Sequence, residues 1–293
     1  MTFRLTKHHG LGNDFLVLLG TGAELDGIGP DHAVRWCDRH TGIGADGLLL
    51  GVIDAPADDG GDVDLAMTLY NADGSRAEMS GNGIRCLAQA EVDRRGATAA
   101  DLRIVTDGGL RTVAVRPGPD AASVVAAVDM GPALAGPEAD RSPGLLAHSA
   151  GASPGSEPIG DPVALAAEPV RRVSVDMGNP HLVLLVDDPA EVDIGRAGPY
   201  WEAGYDAGIN VHAIAPTPGA DDDLTMAIWE RGAGATLACG TGATAAAHAA
   251  HVWGLVGTRV RVRMAGGDVE VEVGERMTLH GPSVRIATVE VEA

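Results

Sequence analysis

The sequence predicts an α/β chain of the α+β kind, built as two pseudo-symmetric halves, each a mostly antiparallel sheet wrapped around a central helix. Three observations carry the prediction. An ordered set of signatures occurs twice in the chain, strand-like runs follow one another through short turns, and in each set one prominent helix follows a Gly-rich turn.

The first signature is Gly12-Asn13-Asp14-Phe15-Leu16-Val17-Leu18-Leu19, which returns as Gly178-Asn179-Pro180-His181-Leu182-Val183-Leu184-Leu185. The second runs from Tyr70-Asn71-Ala72-Asp73-Gly74-Ser75 to Ser80-Gly81-Asn82-Gly83, and its echo from Trp229-Glu230-Arg231-Gly232-Ala233-Gly234 to Cys239-Gly240-Thr241-Gly242. The two signatures keep their order and nearly their offset, 166 residues (Gly12 to Gly178) and 159 residues (Ser80 to Cys239). Two structurally equivalent halves follow.

In the first half Leu16–Leu19, Leu48–Ile53, Asp64–Leu69, Arg111–Val115 and Val124–Asp129 read as strands. In the second, Arg171–Asp176, Leu182–Val186, Val211–Ala215, Leu224–Trp229, Arg259–Met264 and Asp268–Val273 do so, and Arg259 to Arg263 alternates as a half-exposed strand should. Short turns between several runs favour antiparallel pairing. One helix runs from about Gly83 to Arg95 and stops at Gly96; the other runs from about Gly242 to Trp253 and stops at Gly254. The second carries no formal charge over Ala243 to Ala250 and is small on every side, the pattern of a helix buried all round. The halves read as residues 1–130 and 131–278. Between them Gly131 to Val170, about 132–169, is rich in Pro, Gly, Ala and Ser and reads as a crossover with a mobile insertion.

Composition narrows the function. The 293 residues carry 41 acidic and 21 basic side chains, a net charge of −20, which repels phosphate backbones and speaks against nucleic acid as a partner. No apolar run reaches the roughly 18 residues of a membrane span. Met1 to Gly10 lacks the apolar core of a signal peptide. Cys37, Cys86 and Cys239 form no CxxC pair and are odd in number, so a disulfide framework is not expected and a reducing cytoplasm fits. Aromatic residues are only 3%, so the core must be aliphatic.

The chemistry concentrates at two helix starts. At Cys239-Gly240-Thr241-Gly242 the positive end of the helix dipole favours a thiolate, and the first-turn N–H groups can take a carboxylate. Base and anion hole together are what α-carbon proton removal from an amino acid needs, because the carbanion spreads its charge into the carboxylate. Two such segments acting on one stereocentre from opposite sides would invert it. A small buried hydrophobe at a tight turn is the plain alternative for an isolated cysteine; the flanking glycines and the matched Ser80 position favour the chemical reading. Asn13, Asn71, Asn179 and Asn210 sit at or beside Gly or Pro turns, where asparagine commonly serves the turn itself, yet as a repeated set they read as ligand donors. Arg231 can fork onto a carboxylate and Glu230 can take an ammonium, a grip for a zwitterion.

Other motifs weigh less. Gly42-Ile43-Gly44-Ala45-Asp46-Gly47 matches GxGxxG but has a helical-looking segment before it and a strand after it, the reverse of a dinucleotide loop. Gly240 to Ala245 has the right order but lacks the acid about 20 residues on. His8-His9 lacks metal-ligand spacing, and Cys37 and Cys86 read as structural.

These segments resemble diaminopimelate epimerase. The resemblance runs from His9-Gly10-Leu11-Gly12-Asn13-Asp14-Phe15, through Asn71-Ala72-Asp73-Gly74-Ser75, Gly81-Asn82-Gly83-Ile84-Arg85-Cys86 and Gly178-Asn179-Pro180-His181, to Glu230-Arg231-Gly232-Ala233-Gly234 and Thr236 to Gly242. It implies an active site between two pseudo-symmetric halves, no pyridoxal phosphate, no metal, a homodimer, and interconversion of LL- and meso-diaminopimelate for lysine and cell-wall synthesis. It implies that Asn13, Asn71, Asn179, Asn210, Glu230 and Arg231 hold the substrate. Gly81-Asn82 and Gly240-Thr241 would cradle the reacting carboxylate, and His181 and Glu230 would tune the acid–base pair. C-terminal strands, residues 279–293, would return to the first half.

One position departs from the family pattern. The family places a catalytic cysteine on each side, and here the first is Ser80; Cys86, six residues on, cannot replace it. Ser80 would be the second catalytic position, a proton donor but a far weaker base than a thiolate. A replaced residue, a natural variant with altered catalysis, and a different reaction are the three readings. A related proline-type racemase or dehydratase would not need Glu230-Arg231 with four asparagines. A catalytically silent amino-acid-binding paralogue would bind diaminopimelate without solvent exchange.

Overall fold

The computed structural model describes residues 2–53, 55, 62–142 and 169–292. Most of the Pro/Gly/Ala-rich insertion, residues 143–168, lies outside the described residues. The chain forms two compact units, Met1–Gly131 with Arg276–Ala293, and Pro132–Glu275.

The first unit runs β1 (Thr2–Gly10), β2 (Asn13–Gly20), α1 (Gly22–Leu25), α2 (Pro30–Cys37), β3 (Gly47–Val52), β4 (Leu65–Asn71), β5 (Arg76–Ala77), α3 (Gly81–Arg94), β6 (Ala100–Thr106), β7 (Gly109–Pro117) and β8 (Ser123–Gly131). The second unit contributes β9 (Leu134–Ala135), β10 (Arg171–Asp176), β11 (Pro180–Leu185), α4 (Ile194–Glu202), β12 (Asn210–Pro216), β13 (Asp223–Glu230), β14 (Gly234–Ala235), α5 (Gly240–Val252), β15 (Arg259–Met264) and β16 (Gly267–Glu272). The long β17 (Met277–Glu292) then completes the first unit, where it pairs with β1 and β8.

Pairing in the first unit closes on itself. β1 pairs with β2, β2 with β3, β3 with β4, β4 with β6, β6 with β7, β7 with β8, and β8 with β17, which returns to β1. Closure removes exposed edges and leaves an interior that α3 fills, with every residue from Gly81 to Val92 buried. Aliphatic side chains line that interior, among them Leu49 and Leu65 beside α3, both fully buried, while Leu5 and Leu16 are buried on the other face of the sheet with Leu25 of α1 and Trp36 of α2.

Most pairs are antiparallel, but β2–β3 and β4–β6 run parallel. The second unit repeats both exceptions in the same places, β11–β12 and β13–β15. A parallel pair needs a crossover of a dozen residues or more, usually helical, and each of these four crossovers carries a helix. Shared exceptions are firmer support for a repeat than shared antiparallel hairpins, which any β protein has. In register the match extends to single residues: Phe15 faces Gly47 in one unit as His181 faces Asn210 in the other.

Several elements were not anticipated from the sequence, β1, β6 and α4 the longest of them. β1 hides its pattern because Thr6, Lys7, His8 and His9 supply polar groups at positions the barrel half-buries or buries. A two-residue turn joins β1 to β2, with Leu11 at φ 57° and Gly12 at φ 87°. Positive φ at both turn positions matches the strand twist, and it delivers Asn13 at the start of β2.

Candidate active site

Ser80 and Cys239 occupy the same local structure in their two units. Each is the N-cap of the central helix, Ser80 at φ −138° and ψ 120°, Cys239 at φ −132° and ψ 112°. Each side chain turns back onto its own helix: Ser80 Oγ accepts from the Gly83 N–H at 3.0 Å, and Cys239 Sγ from the Gly242 N–H at 3.4 Å. The first-turn N–H groups have no intrahelical acceptor, so both helix starts are anion-binding by construction. Gly81, Asn82, Gly240 and Thr241, the residues of those first turns, are all buried.

The cap position does not make Cys239 a thiolate in the unliganded state. Burial pushes the thiol well above its ordinary value, and the Glu230 carboxylate beside it pushes the same way, while contacts from Thr241 and the Gly242 N–H oppose and lose. This corrects the expectation from the dipole alone. A helix dipole contributes at most about 2 kcal/mol, and here desolvation outweighs it. Cys239 is therefore a protonated thiol against a carboxylate. Cys37 and Cys86 are inert for the same reason: burial raises Cys37 to about 12 and Cys86 to about 11.

Around Cys239 the strand ends supply the other groups. Glu230, the last residue of β13, accepts from Thr236 Oγ1 at 2.6 Å. Its neighbour Arg231 diverges, donating from Nη1 to the Ala207 carbonyl at 3.0 Å. Asn210 donates to the Pro180 carbonyl at 2.8 Å and accepts from the Arg231 N–H at 3.0 Å, which ties the starts of β11 and β12 to the end of β13. Asn179 Oδ1 meets His181 Nε2 at 2.9 Å, and His181 Nδ1 meets His212 Nε2 at 2.8 Å. Burial holds both imidazoles neutral; it lowers His181 well below its ordinary value, with the His212 and Arg231 charges adding, and takes His212 to about 3.

In the first unit, Asn82 Nδ2 donates to Asn13 Oδ1 at 3.3 Å, and Asn13 Nδ2 to Asp46 at 2.8 Å. Asn71 donates to Ser75 Oγ at 2.9 Å across its turn. Thus Asn13 and Asn82 come together near the start of α3, whereas Asn71 lies exposed at the end of β4.

Sequence reasoning missed several supports. Arg85 is fully buried, and its guanidinium donates to the Gly81 carbonyl at 2.8 Å, Asn82 Oδ1 at 2.6 Å and the Pro282 carbonyl at 3.1 Å. It fixes the first turn of α3. Arg39 bridges Asp14 at 2.6 Å and Asp46 at 2.7 Å, setting the carboxylate that holds Asn13. His212 was the most findable, since it interrupts the apolar run Val211-His212-Ala213-Ile214. A Cβ on Gly242 would fall 2.5 Å from His212 Nε2, so the ring packs directly on the helix start and needs a glycine there.

The family model described as diaminopimelate epimerase matches residues 5–135 and 173–285. The chain is 38% identical over 300 residues to a diaminopimelate epimerase of Synechocystis sp., covering 100% of both chains. To that of Pseudomonas syringae pv. tomato it is 38% identical over 291 residues, covering 98% of each. Among solved structures, a Bacillus anthracis phenazine biosynthesis protein of the PhzF family matches with a TM-score of 0.70 at 15% identity, covering 100% of both chains. A hydroxyproline epimerase from Agrobacterium vitis, solved with bound trans-4-hydroxy-L-proline, matches with a TM-score of 0.67 at 15% identity, covering 99% of this chain and 92% of that one. These two likenesses are likenesses of fold.

Proposed function

The chain belongs to the diaminopimelate epimerase family, and from that premise we propose that it interconverts LL- and meso-diaminopimelate without pyridoxal phosphate. The enzyme is an isomerase. Its reaction is proton removal from the α-carbon on one face and proton return on the other. Cys239 is the competent base. Its thiol proton passes first to the adjacent Glu230 carboxylate, after which the sulfur takes the α-proton. The carbanion charge flows into the substrate carboxylate, which the first-turn N–H groups at Gly240-Thr241 and Gly81-Asn82 stabilise. Ser80 gives the proton on the opposite face; the alkoxide left behind then takes a proton from water while Glu230 gives up to solvent the one it took from the thiol, which restores both groups before the next turnover.

The observation that carries this reading is the matched cap geometry of Ser80 and Cys239, each at the start of a buried helix. Asn13, Asn71, Asn179, Asn210 and Arg231 hold the substrate, with His181 and Glu230 setting the proton affinity of the sulfur. We place the enzyme in a reducing cytoplasm, a reading supported by three buried free cysteines, and expect a homodimer by family resemblance. Among the described residues no helix is long and apolar enough to cross a membrane.

Substitution of Cys239 tests the assignment. Cys239→Ala should lose solvent exchange at the α-carbon of diaminopimelate by at least about 10²-fold while keeping its far-ultraviolet circular dichroism. Undiminished exchange in a folded Cys239→Ala protein removes Cys239 from the mechanism.

A further inference from the structure

We propose that His181, His212 and Cys239 form a binding site for a soft divalent cation of the zinc class, and that the ion, when bound, holds the enzyme inactive by occupying the Cys239 sulfur. One ligand atom from each residue lies within 4.8 Å of the other two, and all three residues are buried. An ion with Zn–N bonds of about 2.0 Å and a Zn–S bond of about 2.3 Å in tetrahedral geometry spaces its ligand atoms roughly 3.3–3.6 Å apart. The His181 Nδ1 and His212 Nε2 atoms, now 2.8 Å apart, would open slightly to meet that spacing. Two imidazoles and a thiolate are a ligand set that selects zinc over magnesium or calcium, which want oxygen. Three protein ligands leave a fourth position for water, and Cys239, 4% exposed, is the member that reaches solvent.

The proton balance also favours the ion. His181 Nε2 faces the Asn179 amide oxygen, so that nitrogen carries a proton and Nδ1 is a lone pair. His212 Nε2 must then donate, which leaves its Nδ1 as a buried nitrogen with no hydrogen-bond partner among the described residues. Moving the His212 proton from Nε2 to Nδ1 frees Nε2 for the ion. It gives up a single hydrogen bond, the one to His181 Nδ1, whose lone pair then also goes to the metal. The Cys239 S–H bond breaks as the Zn–S bond forms, and that proton leaves to solvent. Nothing is oxidised or reduced, and one proton is released per ion.

Inhibition rests on the reading of Cys239 as the base, but ion binding does not, so two measurements separate them. Titration of the full-length protein with Co2+ alone, without substrate, should give one equivalent bound and an intense sulfur-to-cobalt charge-transfer band, which Zn2+ then displaces. Cys239→Ala should lose the band. His212→Gln keeps an N–H for His181 but no imidazole; it should bind Zn2+ at least about tenfold more weakly. In exchange assays Zn2+ should stop the wild-type protein reversibly, with full recovery on adding EDTA. Each protein is compared with its own metal-free rate, and on that scale His212→Gln should resist Zn2+ at concentrations that stop the wild type. Absence of the charge-transfer band overturns the site, and so does equal Zn2+ sensitivity of wild type and His212→Gln. If His212→Gln fails to fold, the band in wild type and its loss in Cys239→Ala decide alone. A sulfur-bound ion with no effect on exchange would overturn the inhibitory role and count against Cys239 as the base.

Discussion

At Cys239 two effects of opposite sign meet. The helix start was visible in the sequence as a cysteine before Gly-Thr-Gly, and with it the dipole that favours a thiolate. Burial was not visible there, because it is set by strands distant in sequence, and it wins, together with Glu230, in the unliganded protein. The same division holds for the asparagines. Their turn positions were legible, whereas the contacts that orient Asn13 and Asn82 were not: Asp46 and Arg39 come from another loop, and Arg85, although on α3 beside Asn82, is buried against the Pro282 carbonyl of β17 from the far end of the sequence. Arg231 offers a test at this scale. It is exposed, and its guanidinium reaches the Ala207 carbonyl rather than the Cys239 pocket, as a group meant for the far end of the substrate would. Arg231→Met should therefore raise KM for diaminopimelate by about tenfold or more, the worth of one charge-assisted hydrogen bond, and change exchange of a short amino acid little. Equal losses for both substrates would place Arg231 in the reacting end instead.

The two central helices show how one element can be repeated with a changed first residue. Their Gly-rich starts and Gly stops were legible, and the described helices begin two residues earlier than the sequence suggested, at Gly81 and Gly240. The parallel pairs β2–β3 and β4–β6 were not legible, because short apolar runs carry no sign of direction; the helices that lie between them decide it. Ser80 caps α3 through the Gly83 N–H, so Ser80→Ala should lower stability by about 1 kcal/mol in urea melts, whatever its effect on activity. Ser80→Cys is the informative change. A thiol can take the same cap, as Cys239 does on α5. With serine, reaction started from the Cys239 side should be fast and that started from the Ser80 side slow. A diaminopimelate analogue with a leaving group on the β-carbon needs only the first proton removal, so one configuration should react far faster than the other. Ser80→Cys should equalise the two and raise full epimerisation by about 10²-fold. No change in either quantity would remove Ser80 from the mechanism.

For the whole molecule, a net charge of −20 is compatible with a stable fold because key carboxylates are tied to cations. Burial opposes the charged form of Asp14, yet bonds from Arg39 and Lys7 outweigh it and hold the group below its ordinary value. Glu91 on α3 behaves alike, its burial outweighed by Arg94 and Arg95. A carboxyl depressed in the folded state adds stability above its unfolded pKa of about 4, and that stability is lost as pH falls through the folded value. Histidines that burial holds neutral, His8, His181 and His212, work the same way from a higher pH, since the unfolded chain protonates them below about 6.5. The urea midpoint should thus be level only above about pH 7, decline from there, and fall further below pH 4, where Asp14→Asn should remove part of the fall; an Asp14→Asn protein that loses as much below pH 4 as wild type would contradict the ion-pair account. The repeat itself was the most legible feature of the chain, since it rests on order and spacing, while closure of the first unit by β17 depends on pairing between opposite ends of the sequence. The central claim is that this family member moves the α-proton of diaminopimelate from one face to the other. LL- and meso-diaminopimelate, each incubated with the purified protein in deuterated water, test it most directly by mass and chiral analysis. The account predicts deuterium at the α-carbon and appearance of the opposite isomer, with a marked difference in initial rate between the two starting isomers. Absence of deuterium from both isomers in the presence of folded protein would contradict it.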